Sequence, residues 1–511
     1  MIALQVPRLG TALLAVFGVL LVFLGYWQVL AAAELDQRAD NPQVIAVHFG
    51  APRGTIFDAR GVPLATTTIV DGIARRAYAD PAFAHVIGYA SLRYGQTGLE
   101  RVWDPILTGL RDPNPVSGIV DDILNRQPEP HDLVLTIDQR LQAFAASQLE
   151  GKVGAIVAID PLTGAVLAMT SSPAFDATAF SGVPSSGESA WMAVQADPDH
   201  PLIDRARNGV YTPGSIMKVV TAALALEAGA ITPQTTFADQ PEEERIGFVV
   251  NGFTIKEHRL GRLEPELWDL SPALQVSSNI YFAHVGLELG GQRLLDGARA
   301  FGFCAPLAVG SDGRDLPGVA SFLTVLDAGG CAPFVDETEV AVAAFGQGRV
   351  TVTPLQMALV AATIANDGRR PDPFVVREVR VHAVDGGLGP LVQAYSGGSG
   401  RTVVSPATAA AVRAAMVDAV NGLIGRTYAG GGDVSLYGIS GVLSAGKTGT
   451  AERGGDLRPH AWFIGFVPAQ SGAQPAIAVA VIVEGGGAAS DAAAPLGGRV
   501  MAEWLRLLGA D

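Results

Sequence analysis

The chain has 511 residues, a formal net charge of −15 and 49% hydrophobic residues. That length predicts two or three domains, the apolar fraction excludes wholesale disorder, and the acidic balance excludes a nucleic-acid binder, which needs a basic stripe. Lysine and arginine total 35, yet only Lys152, Lys218, Lys256 and Lys447 are lysine. A desolvated ammonium can give up its proton and a guanidinium effectively cannot, so the surroundings of each lysine matter.

Residues 10–33 carry no charge and lie between Arg8 and Glu34. About 20 apolar residues cross a bilayer as a helix, and Arg8 favours an N-terminus left inside. The run exceeds the roughly 7–15 residues of a secretory h-region. A single-pass transmembrane anchor is therefore expected over 10–33, with 1–9 as a cytoplasmic tail and the remainder on the extracytoplasmic side of the cell membrane. A cleaved signal ending at Ala31-Ala32-Ala33 is the alternative. Cys304 and Cys331 would then meet a compartment where a disulfide is allowed; the sequence leaves a bridge and two buried thiols equally open. No cysteine or histidine cluster has metal-ligand spacing.

Residues 34–130, rich in Arg, Asp, Gly and Pro, read as a small separate N-terminal region closed by a linker at Pro113, Pro115, Pro128 and Pro130. Residues 131–511 read as one large domain. Gly154–Asp160, Pro161–Gly164 and Ala165–Thr170 predict strand, tight turn and strand, and Ala461–Val467 with Ala476–Glu484 predict a second pair. Helical periodicity covers Ser215–Ala228, Pro272–Leu289, Pro354–Asn366, Pro406–Val420 and Gly498–Leu508, and Ser396–Arg401 is a loop. Strands at both ends with helices between predict an α+β fold, an antiparallel sheet assembled from distant segments and flanked by helices.

Three short motifs bear on chemistry. Ser215-Ile216-Met217-Lys218 follows the chain break at Pro213-Gly214 and opens a helical run. Positions i and i+3 share a helix face, so both side chains can reach one site. A serine hydroxyl is a weak nucleophile until an adjacent base takes its proton, and a desolvated lysine can be that base. The plain alternative is an N-cap serine beside a surface lysine. Ser277-Ser278-Asn279 lies in the stretch 272–289; alone it is a polar helix end. Gly441–Thr448 matches the phosphate loop G-x-x-x-x-G-K-T. That loop requires a helix directly after it, and Gly449–Pro459 is not helical in pattern. Ser444 also precedes Lys447 by three, but Gly446 and Gly449 deny a shared helix face. In order, the three motifs supply an attacking serine with its base, a hydroxyl and amide to relay protons, and a strand edge with a cation for a carboxylate.

This ordered set resembles that of penicillin-binding proteins and serine β-lactamases. Arg53-Gly54-Thr55-Ile56-Phe57-Asp58-Ala59-Arg60-Gly61 is similar to the opening signature of the class B enzymes, and Gly98-Leu99-Glu100 and Asp104–Gly109 fit the same region. Gly346-Gln347-Gly348, Thr353–Ala358, Ala365–Gly368 and His460–Gly465 fit the transpeptidase domain. The likeness runs from about residue 50 to 484, with Tyr78–Leu107 most similar to the actinobacterial type. It departs at Ile216-Met217, commonly Thr-Phe in the family, and at Asp58-Ala59-Arg60-Gly61, usually Asp-Arg-Asn-Gly.

The resemblance implies a β-lactamase/transpeptidase-like domain over 131–511 and a pedestal or interaction domain over 34–130, too short for a glycosyltransferase. It implies Ser215 as acylated nucleophile, Lys218 as general base, and Ser277 and Asn279 as the relay motif. Lys447, Thr448, Gly449 and Thr450 would be the substrate-binding strand, and backbone N–H groups of Ser215 and Thr450 the oxyanion hole. The implied reaction is D,D-transpeptidation of peptidoglycan stem peptides through a serine acyl-enzyme. No metal or organic cofactor is implied. β-Lactams are the implied covalent inhibitors, and wall-synthesis proteins and the membrane the implied partners. The rival readings are a D,D-carboxypeptidase, a non-catalytic β-lactam-binding scaffold of the wall-synthesis machinery, and the phosphate-loop NTPase. Lys152 and Lys256, outside every motif, read as surface residues.

Overall fold

The computed structural model describes residues 5–27, 52–70, 73–110, 129–181, 184–257, 264–311, 314–327, 330–383 and 386–510. At the N-terminus, helix α1 (Gln5–Gly25) exposes large apolar side chains such as Leu14 and Val22. No single helix among the described residues is long and apolar enough to cross a membrane on its own. The expected anchor runs past residue 27, beyond the described residues there.

The N-terminal region contributes β1 (Ile56–Phe57), β2 (Pro63–Val70) and β3 (Ile73–Tyr78), and the chain then enters β4 (His131–Leu135). β5 (Gly154–Ile159) and β6 (Val166–Ser172) form the hairpin expected around Pro161–Gly164. β7 (Val376–His382) and β8 (Leu388–Ala394) come much later, followed by β9 (Ala445–Ala451), β10 (His460–Val467) and β11 (Ile477–Val483).

These strands build two sheets. One has the order β9-β10-β11-β5-β6 and is antiparallel throughout. Every residue of β5 and β11 is buried, the continuous apolar run expected of strands covered on both faces. The second sheet has the order β8-β7-β4-β1-β2-β3. β4 is its link, parallel to β1 through Ile56 and Leu133 and antiparallel to β7 through Leu133 and Val379. The sheet therefore straddles the division expected at 130/131. β1 would otherwise carry an open edge of unpaired backbone N–H and C=O groups, which folded chains cover. Pro113, Pro115 and Pro128 lie outside the described residues.

The turn at Asp58 keeps its pairing despite its unusual sequence. Asp58 Oδ1 accepts from Arg60 N (2.8 Å) and Val62 N (2.7 Å), and Ile56 pairs with Ala65. Beneath it, Arg53 Nε donates to Glu100 Oε2 (3.0 Å) and Arg76 Nε to Glu100 Oε1 (2.6 Å), while Arg53 Nη1 reaches Asp104. All four side chains are buried.

The expected helices are present with altered ends. α2 (Met217–Glu227) is preceded by a 3₁₀ turn, Gly214–Ile216. The stretch 272–289 is not one helix but two, α3 (Leu270–Val276) and α4 (Asn279–Leu289). Ser277 breaks it by taking the left-handed conformation (φ 64°, ψ 38°), and Ser278 caps α4 by accepting from Tyr281 N (3.0 Å). Thr353 caps α5 (Pro354–Ala365) and Ser405 caps α6 (Pro406–Asn421), each with proline in the first turn, the position where a missing N–H costs nothing. α7 (Ala489–Ala510) begins upstream of the expected Gly498, because Ala493, Ala494 and Leu496 extend its buried face. α5 and α7 pack against the five-stranded sheet; Val157, Ala480 and Ile464 belong to one core and Val479, Val481 and Phe463 to another. Cys304 and Cys331 are disulfide-bonded, which resolves the alternative left open by the sequence.

Candidate active site

The site lies where α2, the α3–α4 break and the edge strand β9 converge. Tyr211 pairs with Val352 through both backbone N–H groups, and Trp462 Nε1 donates to Thr212 O (3.0 Å), so the segment before Ser215 is tied to β10. Gly214 N donates to Gly346 O (2.9 Å). A Cβ at Gly346 would fall 2.0 Å from Gly214 O, and one at Gly449 would fall 2.7 Å from Pro213 O. Those two glycines therefore let a loop and a strand approach the Ser215 turn at backbone contact.

Ser215 stands at the open end of this turn and Lys218 one turn further on, wholly buried. Lys218 Nζ lies 3.0 Å from Ser215 Oγ, 2.5 Å from Ser277 O, 2.9 Å from Asn279 Oδ1 and 3.3 Å from Ser277 Oγ. The left-handed turn at Ser277 is what aims both its carbonyl and its hydroxyl at Lys218. Lys447 Nζ donates to Ser277 Oγ (2.9 Å) and to Thr448 O (3.1 Å). The eight residues singled out by sequence thus gather in one place, Gly449 as the close-approach position. Above them is a cleft of about 650 Å³ whose lining includes Ser215, Ser277, Asn279, Thr448, Thr450 and Tyr428.

The electrostatics follow from burial. Desolvation pushes the Lys218 ammonium down to about 7, with Glu257 acting the other way. Lys447 is held well below its ordinary value by burial and then by the neighbouring Lys218. A neutral amine has two N–H donors and one lone pair. Ser277 O and Asn279 Oδ1 can only accept, so they take both donors and leave the lone pair of Lys218 facing the Ser215 hydroxyl. Asn279 is oriented for this, since its Nδ2 donates to Lys256 O (3.2 Å).

The alternatives raised by sequence separate here. Ser444 is buried with its hydroxyl near Val434 N (3.4 Å), away from Lys447; on an extended strand, positions three apart point to opposite faces. Gly441–Thr448 leads into β9, a sheet strand rather than a phosphate-cradling helix start. Lys152 is exposed; the Lys256 side chain is exposed too, but it lines the cleft. Sequence reasoning assigned no role to Trp462 or Gly346, which the likeness had marked without a reason, nor to Glu257 and Glu244 behind Ser278, which no motif marks.

This arrangement, an alcohol against a buried lysine pushed toward neutrality on a helix start beside an antiparallel edge strand, defines a serine acyltransferase of the penicillin-recognising kind. The penicillin binding protein transpeptidase domain matches residues 154–502 and the penicillin binding protein A dimerisation domain residues 53–133. The chain belongs to the penicillin-binding protein family. It is 34% identical to the peptidoglycan D,D-transpeptidase PbpA of Mycolicibacterium smegmatis over 98% of both chains, and 34% identical to PbpA of Mycobacterium tuberculosis over 94% of this chain and 93% of that one. The penicillin G acyl-enzyme complex of M. tuberculosis penicillin-binding protein A superposes with a TM-score of 0.74 at 32% identity, covering 89% of this chain and all of that one.

Proposed function

We propose that this chain, a peptidoglycan D,D-transpeptidase that binds penicillin covalently, works through Ser215 as the acylated nucleophile and Lys218 as its base. The observation that carries the assignment is Lys218 Nζ 3.0 Å from Ser215 Oγ, with the acceptors Ser277 O and Asn279 Oδ1 placed to take both N–H donors of its neutral form. Lys218 takes the hydroxyl proton as Ser215 Oγ attacks the donor carbonyl. The terminal D-Ala amine leaves with a proton relayed through Ser277, which Lys447 holds in place. Backbone N–H groups of Ser215 and Thr450 receive the oxyanion, a contribution of about 10²–10³ in rate. Thr448 and Thr450 line the cleft and meet the donor carboxylate, with buried Lys447 supplying the field behind them. An acceptor amine then takes the acyl group along the reverse path.

The same reading gives residues 34–130 an interaction role with wall-synthesis proteins and 131–511 the catalysis, with a single-pass anchor over 10–33 holding the body outside the cytoplasm. Supporting the anchor is the outward-facing apolar surface of α1. The test is labelling with a fluorescent penicillin followed by peptide mapping. The adduct is expected on Ser215, absent in Ser215→Ala and strongly slowed in Lys218→Ala. Labelling at Ser444, or none with tight ATP binding instead, overturns the assignment.

A further inference from the structure

Behind the Ser277–Asn279 break lies a second buried polar cluster that the reaction above does not use. Ser278 Oγ is 2.8 Å from Glu244 Oε1 and 2.8 Å from Glu257 Oε1, and it accepts from Tyr281 N (3.0 Å). Glu244 Oε1 also accepts from Gln240 Nε2 (2.8 Å), and Glu244 Oε2 from Trp268 Nε1 (3.1 Å). Glu257 Oε1 accepts from Ile280 N (2.7 Å) in the first turn of α4. Glu257 Oε2 is buried with no hydrogen-bond partner among the described residues, although Glu257 lines the cleft.

The proton count is decisive. A serine hydroxyl carries one proton, so it cannot make two full-strength bonds to carboxylates. Both 2.8 Å contacts are full bonds only when one runs the other way, from a protonated carboxyl to Ser278 Oγ. Burial pushes Glu244 above the ordinary carboxylate range, and the nearby Glu257 adds to the effect against the hydrogen bonds from Ser278, Gln240 and Trp268. Glu257, by contrast, meets the N–H of a helix first turn, a position that favours an anion.

We propose that Glu244 holds the acid proton and Glu257 the negative charge, and that Glu257 is a positioning residue that clamps the Ser277–Asn279 loop against Lys218. The proposal rests on Lys218 being the base. Lys256 O fixes the Asn279 amide while Glu257 fixes Ser278 and Ile280 N, so two adjacent residues hold three consecutive ones. The charged and titratable groups that face Glu257 are Glu244 across Ser278, Lys218 across Asn279, and Tyr428 on the cleft lining; Lys447 lies beyond Ser277.

The test is the rate of acylation of the whole protein by fluorescent penicillin between about pH 5 and about pH 9, a range that brackets a general base poised near neutrality. Glu257→Ala is expected to lower the alkaline plateau about tenfold, a part of the roughly 10²–10⁴-fold that a positioned proton-transfer group contributes. Glu257→Gln should restore the plateau to within about threefold, because its amide oxygen still accepts from Ile280 N, and should move the acid limb about one pH unit lower, because the anion that favours charged Lys218 is gone. Glu244→Gln should move that limb less than Glu257→Gln. A wild-type plateau in Glu257→Ala, an unmoved limb in Glu257→Gln, or a larger limb shift in Glu244→Gln overturns the proposal. If Glu257→Ala does not fold, the limb of Glu257→Gln decides. Wild-type protein that takes no label at Ser215 breaks the underlying assignment instead, which separates the two failures.

Discussion

In the N-terminal region Arg53 and Arg76 are buried around Glu100 and Asp104; under the cleft Lys218 and Lys447 are buried as deeply with no carboxylate in hydrogen-bond contact among the described residues. In the first cluster burial works against each charge, and the opposite charges override it: Glu100 is held below the ordinary carboxylate range and Arg53 above the ordinary guanidinium. In the second, the one opposing charge, Glu257 on Lys218, does not overcome the desolvation, and both lysines are pushed down. The same physical cost yields structure where it is compensated and reactivity where it is not. Residue choice agrees, because only lysine can shed its proton.

The contrast can be broken most directly at Lys218. Lys218→Met should slow acylation by about 10²–10⁴-fold, the range for loss of a general base, while chemical denaturation shows stability close to wild type, since burying the amine carries a desolvation cost that methionine does not. Marked destabilisation would mean that Lys218 is as structural as Arg53. The mirror experiment is Glu100→Ala, which strands two buried guanidiniums. It should cost about 3–5 kcal/mol in urea melts and leave the acylation rate per folded molecule unchanged. Cys304→Ser with Cys331→Ser tests a staple that uses no charge. Opening a link of sequence separation 27 should cost about 3 kcal/mol, equally in low and high salt. The smallest effect is the pH response. Lys218 accepts a proton only when neutral, a state dominant above about 7 and lost as pH falls through that value, so acylation should fall about tenfold per pH unit below it. Glu100 has the opposite sign: its depressed value stabilises the fold above the unfolded carboxyl range of about 4.3 and stops doing so only as pH falls through the folded value. A flat acylation profile between about pH 5 and 7 would remove Lys218 as base.

The residues that gather at the candidate site were legible in sequence because each motif is local and its order is informative. The five-stranded sheet was legible in outline because β5 and β11 are uninterrupted apolar runs and β6 and β10 are largely apolar. The break at Ser277 was not, since Pro272–Leu289 keeps helical periodicity straight through it and only tertiary contact with Lys218 favours the left-handed turn. Glu257 was invisible for another reason: a single carboxylate in a polar loop has no spacing to detect, and its partner Glu244 lies on a different element. The role of β4 was hidden too, because pairing with β1 and β7 is a long-range choice that leaves no local pattern.

That last pairing has a consequence for how the protein is made. β1 to β3 emerge first from the ribosome, yet their sheet ends in β7 and β8, and the five-stranded sheet likewise joins β5 and β6 to β9, β10 and β11. From Tyr78 to Val376 the ribosome adds 298 residues (376 − 78), roughly half a minute at bacterial rates. Through that interval the first sheet lacks β7 and β8, and the second is completed only when β9, β10 and β11 follow.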